Sequence, residues 1–546
     1  MKVVYVHFND YVHVDHICRM AREQGWHPQY VSTDPALFPK IQSLGLGTIL
    51  HDSMHAIRGI PHPDFALGEL SLWDNPTLER LAIHEAYFNR ILDRRDMDGS
   101  SFTAMERRYH YYDVMNYWFN VLEKLKPDLV AFVEAPHEGY NYCVYAVAKE
   151  LGIPVLFYKT VTLSAKNILA KDIFIEDSRV GASYLESLRD PKNLEEPVTF
   201  SAPIQTYIDR IRTPQKHVEP FYMVEQYREA AENKVLKEFK RLVGKFQNIF
   251  SKGGILPSLK FVVAGIFKRA AHPLENFDTV YKVRGQLYTE NKISNYGFKK
   301  MRRELEQHTR ELGNAYAALS AGTIDLNKKF IFLALHYQPE KTTAPDAGLL
   351  SDQILFLDML SKNLPEDWLI YVKEHPSQLL TSSVTAQVRT VDDYHRMLSY
   401  KNVRLVPSEM NSSDLMRNCK AVATATGTVG WEAIVRGIPV LYFGFPWFAH
   451  CEGALKAYTR QDLKKSIQLL VDGYKVDSRK VDLFIKAYDR EVLPHHHVSI
   501  YFEKDNVYGL TYEENMARMS KTWVAAYQNY YGTKGKEGFD AHSRYS

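Results

Sequence analysis

The chain contains two regions in which short apolar runs alternate with amphipathic segments. In the first region the apolar runs predict strands at Val3–Phe8, Tyr30–Ser32, Gly47–Leu50, Leu129–Val133 and Pro154–Tyr158. The segments between them carry apolar residues at helical spacing, at His16–Gly25, Leu78–Asp93, Met105–Leu125 and Tyr140–Leu151. A strand, a helix and a further strand in this order predict parallel strands joined by helical crossovers.

The second region repeats this alternation from about residue 325 to residue 490. Its predicted strands are Phe330–Leu335, Trp368–Val372, Val403–Val406, Ala421–Ala425 and Pro439–Phe443. Its predicted helices are Ser351–Leu360, Ser413–Asn418 and Val429–Arg436. We therefore predict an α/β fold with two Rossmann-like domains, at residues 1–190 and 325–490, which face each other across a ligand-binding cleft.

Residues 191–324 lack this alternation, and we predict a helical, partly basic insertion there. Nine Lys or Arg residues and one acid, Glu238, lie between residues 234 and 269, among apolar residues at helical spacing. Such a segment contacts an anionic membrane surface or, alternatively, packs its apolar stripe on the Rossmann domains or another subunit. Residues 491–546 are predicted to form a helical tail that packs back on the first domain.

The composition of the chain excludes several classes of protein. With 546 residues, 45% of them hydrophobic and 24% charged, the chain is predicted to be globular and multidomain rather than fibrous or disordered. A net charge of +3 gives no argument for a nucleic-acid partner. Four distant cysteines, no signal-peptide core and no run of about 18 apolar residues lead us to expect a cytoplasmic protein, which the basic segment would bring to the inner face of the membrane.

Polar residues collect at the points where the strands of the second region end. They are His336, Gln338, Glu340, Lys373, His375, Glu409, Ser412, Thr424, Thr426 and Thr428. The carboxyl ends of parallel strands share one edge of a sheet, so these side chains are predicted to line one site. Each alone is most simply a hydrogen-bonded loop residue or a helix cap, but the series favours a binding site.

The segment AVATATGTVGWEAIVRGIPVLYFG is the most specific feature of the chain. An apolar strand leads into a Thr/Gly turn and then a helix, and the amides and hydroxyls of such a turn predict a phosphate site. Gly427 and Gly430 allow a close approach of the backbone. Capping of the helix by Thr426 or Thr428 is the simpler alternative, and the two roles are compatible. Glu432, in the first helical turn, either complements the helix dipole or reaches a ribose hydroxyl.

Three motifs in this region resemble those of a known enzyme class. LHYQPE, YVKEHPSQ and TATGTVGWEA, in this order, resemble motifs of bacterial GT-B glycosyltransferases that use CMP-activated acidic sugars, such as sialyltransferases and capsule-type Kdo transferases. The resemblance covers about residues 330–450, and it reaches the first region through VEAPHEGYNY. It implies a GT-B-like arrangement and transfer of a Kdo, sialic, pseudaminic or legionaminic acid from a CMP donor to a growing surface glycan. The implied acceptor is a glycan or a lipid-linked glycan.

The resemblance also implies roles for single residues. His375 would bind or protonate the CMP phosphate as it leaves, and Pro376 would fix the turn that follows. Lys373 would help to hold the cytosine, and Glu409 would bind the ribose. Thr426 and Thr428 would be the hydroxyl pair on the phosphate, in the same turn as Thr424 and Gly427. Sialyltransferases carry Ser-Ser at this turn, whereas this chain has Thr-Ala-Thr-Gly-Thr, so which threonine faces the phosphate is left open.

The acceptor side is expected in the first region, where Glu134 ends the strand LVAFVEAPH. A carboxylate at that point would face the cleft as the base for an acceptor hydroxyl or as a nucleophile; alternatively it only orients the loop. His137 and Glu138 follow directly. Asp10, which ends the first predicted strand, is the alternative acid.

No metal or other cofactor is expected, because the chain has no DxD motif at a strand end and protein groups can stabilise the single phosphate of a CMP-sugar. The run His495–His497 is expected to be a solvated loop, with metal binding as the alternative. Two other functions remain open. One is a CDP-glycerol-type polyol-phosphate transferase, which needs more cationic contacts than Lys373 alone; the other is a non-catalytic partner in capsule assembly or export.

Overall fold

The computed structural model describes residues 1–65, 74–93, 103–161, 166–174, 179–213, 282–284, 287–289, 295–380, 388–504, 506 and 508–532. The predicted basic amphipathic segment at residues 234–269 lies outside these ranges, so both alternatives for it, membrane contact and packing on protein, stay predictions. Within these ranges, no helix combines the length and the apolar character that crossing a membrane requires.

The first domain is built on a six-stranded sheet. Its strands are β1 (Lys2–Val6), β2 (His27–Thr33), β3 (Ile49–Asp52), β4 (Leu129–Phe132), β5 (Val155–Val161) and β6 (Lys166–Ala170). Its helices are α1 (Tyr11–Gln24), α2 (Phe38–Gln42), α3 (Ser53–Ile57), α4 (Asn75–Leu92), α5 (Ala104–Leu125) and α6 (Gly139–Glu150). The strand order is β3-β2-β1-β4-β5-β6, parallel throughout except for β6, which runs antiparallel to β5. This is the Rossmann order, with a crevice where the order reverses between β1 and β4.

The second domain repeats that order in a fully parallel sheet. A short antiparallel hairpin, β7 (Lys282–Arg284) and β8 (Leu287–Thr289), precedes it in the chain. The sheet strands are β9 (Phe330–Ala334), β10 (Leu369–Lys373), β11 (Val403–Leu405), β12 (Ala421–Thr424), β13 (Val440–Tyr442) and β14 (Ala454–Lys456). They are ordered β11-β10-β9-β12-β13-β14, so the crevice lies between β9 and β12. The prediction of two Rossmann-like domains is confirmed.

The helices that follow the first domain pack mostly on the second one. They are α7 (Arg179–Ser187), α8 (Lys192–Glu195), α9 (Ala202–Arg212), α10 (Asn295–Leu319), α11 (Gln353–Ser361), α12 (Val391–Leu398), α13 (Ser412–Asn418), α14 (Thr428–Val435), α15 (Arg460–Val471) and α16 (Ser478–Glu491). Tyr184 of α7 and Ile204 of α9 share an apolar core with Phe484 of α16, and Tyr316 of α10 packs under the same sheet. The apolar faces of α7, α9 and α10 thus bury against the second domain. The domain boundary at residue 190 stays a prediction.

The tail consists of α17 (Ser499–Lys504) and α18 (Tyr512–Tyr531), and α18 packs on α1 of the first domain. The indole of Trp523 donates a hydrogen bond of 2.6 Å to the hydroxyl of Tyr158 on β5. The expectation of a solvated loop at His495–His497 is wrong, since all three side chains are at most 6% exposed. They are covered because this segment returns from the second domain across the first, where His495 Nε2 lies 3.0 Å from the Tyr158 hydroxyl.

Candidate functional site

The loops that follow β9, β10, β11 and β12 form one connected surface, called here the second-sheet edge. The ammonium of Lys373, at the end of β10, donates to the hydroxyl of Ser412 at 3.2 Å and to the carbonyl of Met410, so it joins the β10 and β11 loops. The amide of Gln338 donates to the side chain of Gln378 at 3.0 Å and joins the β9 and β10 loops. The polar residues predicted to share an edge are thus brought together.

His336, after β9, holds the Thr/Gly turn that follows β12. The hydroxyl of Thr424 at 2.9 Å and the amides of Ala425 and Thr426 at 3.2 and 3.3 Å all point at its Nε2. Amides only donate, so Nε2 is an acceptor and the ring proton sits on Nδ1. Burial, reinforced by the charge of His375, lowers the pKa of His336 to about 3, which keeps the ring neutral. His336 therefore positions the turn.

The three threonines of the turn are used differently. Thr424 accepts a hydrogen bond of 3.2 Å from the amide of Gly427, and Thr426 donates one of 2.6 Å to the carbonyl of Thr342. In the part of the chain that the structure describes, the hydroxyl of Thr428 and the amides of Thr428 and Val429 have no hydrogen-bond partner. These groups open the helix α14, whose N-terminus attracts anions. Thr428 is therefore the threonine best placed for a phosphate.

Gly427 itself is required by a close approach. A β-carbon at this position would lie 2.8 Å from the hydroxyl oxygen of Thr424 and 3.2 Å from Cε1 of His336. Any larger residue would push the turn away from the histidine that orients it, because these neighbours are held by hydrogen bonds. Gly430 is similar, since a β-carbon there would meet Phe448 and Thr424 at 3.0 Å. The glycines thus let α14 begin directly on the strand ends.

His375 has the opposite tautomer to His336. Its Nδ1 accepts a hydrogen bond of 3.2 Å from the amide of Ser377, so the ring proton sits on Nε2. His375 thereby caps the short helical turn that begins at Pro376. Burial lowers the pKa of His375 to about 4, and the ring is neutral at physiological pH. The structure thus presents His375 as a neutral hydrogen-bond donor, which suits phosphate binding better than it suits a cationic acid.

A buried ion pair that the sequence did not reveal supports His375. One oxygen of Glu374 accepts a hydrogen bond of 2.7 Å from the His375 amide. The other accepts from the hydroxyl of Tyr394 and pairs with Arg389 Nε, both at 2.9 Å. Arg389 and Glu374 are almost fully buried, so the pair holds the strand-end loop in one conformation.

The remaining carboxylates of this edge are in three different environments. Glu409 is exposed and accepts a hydrogen bond from the hydroxyl of Ser408 at 3.2 Å. Burial lowers the pKa of Lys373 to about 8, and the nearby charge of Glu409 opposes part of that shift. Glu340 accepts from the hydroxyl of Thr342 at 2.8 Å and braces its own turn. Glu432 is buried beside Arg436, the residue that caps the C-terminus of α14, and burial raises the pKa of Glu432 to about 7 despite that positive charge. The charged groups that face it are Arg436 and, on α9, Arg210. A ribose contact of Glu432 stays a prediction.

The carboxyl ends of β1, β2 and β4 form a surface of the first domain, called here the first-sheet edge. His137 donates from Nδ1 to the carbonyl of Ala135 at 2.8 Å, which leaves Nε2 facing two carboxylates. Glu134 Oε1 lies 3.7 Å and Glu138 Oε1 lies 3.8 Å from that nitrogen. Glu134 is the more exposed carboxylate, at 37% against 20%. An exposed carboxylate beside an imidazole is a suitable group to accept a proton from a hydroxyl.

Asp10, the predicted alternative acid, follows β1 and lies at the N-terminus of α1. Its Oδ1 caps α1 by accepting from the amide of Val12 at 2.9 Å, and its Oδ2 accepts from the hydroxyl and amide of Ser499 at 2.6 and 3.0 Å. Burial raises its pKa, but the hydrogen bonds from Ser499 and Val12 outweigh burial and leave the pKa below the usual value. A carboxylate with both oxygens engaged is a poor base, and Asp10 instead fastens the tail to the first domain.

Sequence reasoning missed His7, which directly follows β1. Its φ of +67° is in the left-handed region, which is rare for a residue other than glycine. Its Nδ1 is hydrogen-bonded to the hydroxyl of Tyr140 at 3.0 Å, and its amide donates to Ser32 at 2.9 Å. The predicted strand ran through Phe8 and hid the turn; a histidine directly after four apolar residues was the available signal.

No three His, Cys, Asp or Glu side chains are arranged to hold a metal ion among the residues that the structure describes.

Residues 271–461 match the profile of a family described as "Capsule polysaccharide biosynthesis protein". A curated relative, "Capsule polysaccharide modification protein LipA" of Neisseria meningitidis serogroup B, is 30% identical over 97 residues. That alignment covers 18% of this chain and 12% of the relative, so it spans about an eighth of the relative's length.

Two solved structures illustrate the structural comparison. "Thermosulfurimonas dismutans KpsC, beta Kdo 2,4 transferase" has a TM-score of 0.26 and 12% identity, over 66% of this chain and 79% of that one. A UDP-GlcNAc 2-epimerase from Neisseria meningitidis bound to UDP-GlcNAc has a TM-score of 0.22 and 13% identity, over 97% and 100%. At these scores the likeness decides nothing about function. The family profile, in contrast, spans every strand of the second sheet, so that domain is similar to capsule polysaccharide biosynthesis proteins.

Proposed function

We propose that this chain is a glycosyltransferase of capsule polysaccharide biosynthesis that moves an acidic sugar from a CMP-activated donor to a growing surface glycan. One observation carries the proposal. The hydroxyl of Thr428 and the first amides of α14 are unpaired within the described chain, on the same edge as the Nε2–H of His375. The family match over this domain supports the same conclusion.

In the proposed reaction the donor phosphate lies at the N-terminus of α14. Thr428, the amides beside it and His375 donate hydrogen bonds to the phosphate oxygens, whose negative charge grows as the bond to the sugar breaks. Glu409 and Lys373, on the adjacent loops, are left for the ribose and the cytosine. No step in this scheme requires a metal ion, because donors supplied by the protein stabilise the leaving phosphate.

The acceptor is proposed to bind at the first-sheet edge. Glu134 takes the proton of the attacking hydroxyl, or attacks the sugar carbon itself in a double displacement, and His137 orients it at 3.7 Å. The two roles predict opposite stereochemistry, inversion in the first case and retention in the second. Either role needs the two edges to face each other, so closure of the cleft would align donor and acceptor.

The second candidate, a polyol-phosphate transferase, gains one argument from the structure. Lys341, which follows β9, lies on the loop that accepts the hydrogen bond from Thr426, so a cation is present close to the threonine turn. The pyrophosphate of CDP-glycerol needs such cations. The choice between the candidates is therefore an experimental one.

The deciding experiment is a donor panel. CMP release is measured with CMP-Kdo, CMP-sialic, CMP-pseudaminic and CMP-legionaminic acid and, in parallel, with CDP-glycerol, in wild type and His375→Ala. His395→Ala is the matched control, since His395 is exposed on α12. We expect release from one CMP-sugar, lost in His375→Ala and kept in the control. Release from CDP-glycerol alone supports the second candidate, and no release or binding of any donor contradicts both.

A further inference from the structure

Lys159, on β5, is a buried lysine at the junction of the two domains. Its side chain is 9% exposed, and its ammonium makes one long hydrogen bond, of 3.4 Å, to the carbonyl of Phe445 in the second domain. It forms no ion pair with any carboxylate in the described part of the chain. Lysines are rarely buried in this way unless they are paired, because the ammonium loses its hydration.

Both carboxylates that face Lys159 are already neutralised by other lysines. Asp346 pairs with Lys341 at 2.8 Å, and Asp172 pairs with Lys149 at 2.9 Å. Among the residues that the structure describes, three ammonium groups thus meet two carboxylates, which leaves one positive charge in excess. Burial lowers the pKa of Lys159, an effect that Asp346 opposes and Lys341 reinforces. Within the described part of the chain, the cluster thus has one carboxylate fewer than it has ammonium groups.

This excess charge lies beside the two edges described above. The pairing of β4 with β5 ends at Phe132 and Phe157, and Glu134 and Lys159 each lie two residues beyond that pair. On the other side, the amide of Phe445 donates to the carbonyl of Asp346 at 3.0 Å. The loop that contains Asp346 also accepts the hydrogen bond from Thr426 of the threonine turn. Lys159 is therefore placed between the proposed base and the proposed phosphate site.

We propose that Lys159, with Lys341 behind it, binds an oxyanion on the part of the donor that is transferred, and that in an acidic sugar this group is the carboxylate. The inference rests on the proposed function and adds to it a determinant of the substrate class. A carboxylate would restore the hydrogen bonds and the charge balance that the ammonium lacks. A second donor phosphate, as in CDP-glycerol, has the same oxyanion chemistry, and the experiment separates the two sources.

The experiment measures binding by isothermal titration calorimetry with four probes: CMP-N-acetylneuraminic acid, its carboxyl methyl ester, CMP, and CDP-glycerol. The variants are Lys159→Met, which keeps the length of the side chain, and the control Lys362→Met, at an exposed lysine directly after α11. We expect Lys159→Met to weaken the acid at least tenfold and to leave CMP within twofold. Wild type should bind the ester as weakly as the variant binds the acid, and the control should match wild type. If wild type binds CMP-Kdo but not CMP-N-acetylneuraminic acid, CMP-Kdo replaces the acid as the probe with a carboxylate. CMP then replaces the ester as the probe without one.

Each other outcome has a defined meaning. The inference is overturned if Lys159→Met binds the acid, the ester and CMP equally more weakly than wild type, or binds none of them more weakly. In that case the proposed function still stands, provided that wild type binds a CMP-sugar. Selective weakening of CDP-glycerol assigns the oxyanion to a phosphate and overturns the carboxylate. If wild type binds no probe, the proposed function fails and the inference fails with it. Melting temperature and circular dichroism verify folding, and Lys159→Gln repeats the test if Lys159→Met does not fold.

Discussion

The two sheets have the same strand order, but the polar side chains at their carboxyl edges are engaged in different ways. At the second-sheet edge most polar side chains hold neighbouring loops, as His336 holds the threonine turn and Lys373 holds the β11 loop. At the first-sheet edge Glu134 lies beside His137, and the carboxylate of Glu134 is more than one-third exposed. His7 is hydrogen-bonded separately, to Tyr140. One edge is built to present fixed donors, and the other presents a group that can take a proton.

Two neutral histidines of the second-sheet edge show how the surroundings assign a role. The Nε2 of His336 is surrounded by donors, whereas the Nδ1 of His375 accepts from an amide and leaves Nε2–H available. Burial lowers the pKa of both rings. The residue type is the same, yet one ring positions a turn and the other is available to a ligand, because the neighbouring backbone chooses the tautomer.

The largest expected effect tests whether the first-sheet edge serves transfer while the second-sheet edge binds the donor. Glu134→Gln removes the proton acceptor without changing the shape of the side chain, so we expect transfer to fall about 10³-fold while the Kd for CMP stays the same. Sugar transfer and CMP binding are measured on the same preparation. Glu138→Gln, also beside His137, is the matched control and should retain most activity. Loss of CMP affinity in Glu134→Gln would show that the edges are not separate.

A smaller effect is expected at the second-sheet edge. His375→Ala should lower kcat about 10²-fold, because it removes a donor to the leaving phosphate. The pKa of about 4 predicts that this ring stays neutral above pH 5 and adds no inflection to the pH–rate profile between pH 6 and 8. A rate that falls through pH 6.5 in wild type, and no longer does so in the variant, would instead show a cationic acid.

The threonine turn gives a sharper test of the geometry. Thr428→Val should raise the donor KM about tenfold, since a hydrogen bond to a charged group contributes about 1.5–3 kcal/mol. Thr426→Val should change KM less, because its hydroxyl already donates to Thr342. Steady-state kinetics on both variants compares them directly, and the reverse order would assign the phosphate to Thr426.

A separate effect, on folding rather than on catalysis, concerns stability in acid. His13, His16 and His497 are buried where the tail meets the first domain, and burial lowers their pKa values to about 4, 3 and 3. A histidine with a lowered folded pKa stabilises the protein fully above its unfolded pKa of about 6.5, and this contribution is lost as the pH falls towards the folded pKa. Each therefore contributes a slope of up to about 1.4 kcal/mol per pH unit in that window.

Urea unfolding between pH 7 and pH 4 checks this slope. His16→Leu should flatten it, since neither nitrogen of the His16 ring has a hydrogen-bond partner among the described residues and the ring packs near Trp523. His395→Leu, at an exposed position of the second domain, should not. An unchanged slope in His16→Leu would show that the tail junction does not govern acid stability.

The amino-acid sequence by itself determined the local elements and their order. Apolar runs of four or five residues followed by helical spacing predicted β4, β9, β10 and β12 to within one or two residues. That pattern is local, because burial on both faces of a parallel strand demands a continuous apolar run. The chemistry-bearing residues after those strands were equally visible, since each follows its strand directly in the chain.

Only the tertiary structure decided which of those residues are already engaged. The contact of His336 with Thr424 joins positions 88 residues apart, and the contact of Lys159 with Phe445 joins positions 286 apart. No local pattern reports such pairs, so the sequence left the threonines equivalent, read His495–His497 as solvated and overlooked Lys159. Hydrogen bonding and burial at a site depend on which segments the fold brings together, and that is the physical reason why the elements were predictable and the state of each side chain was not.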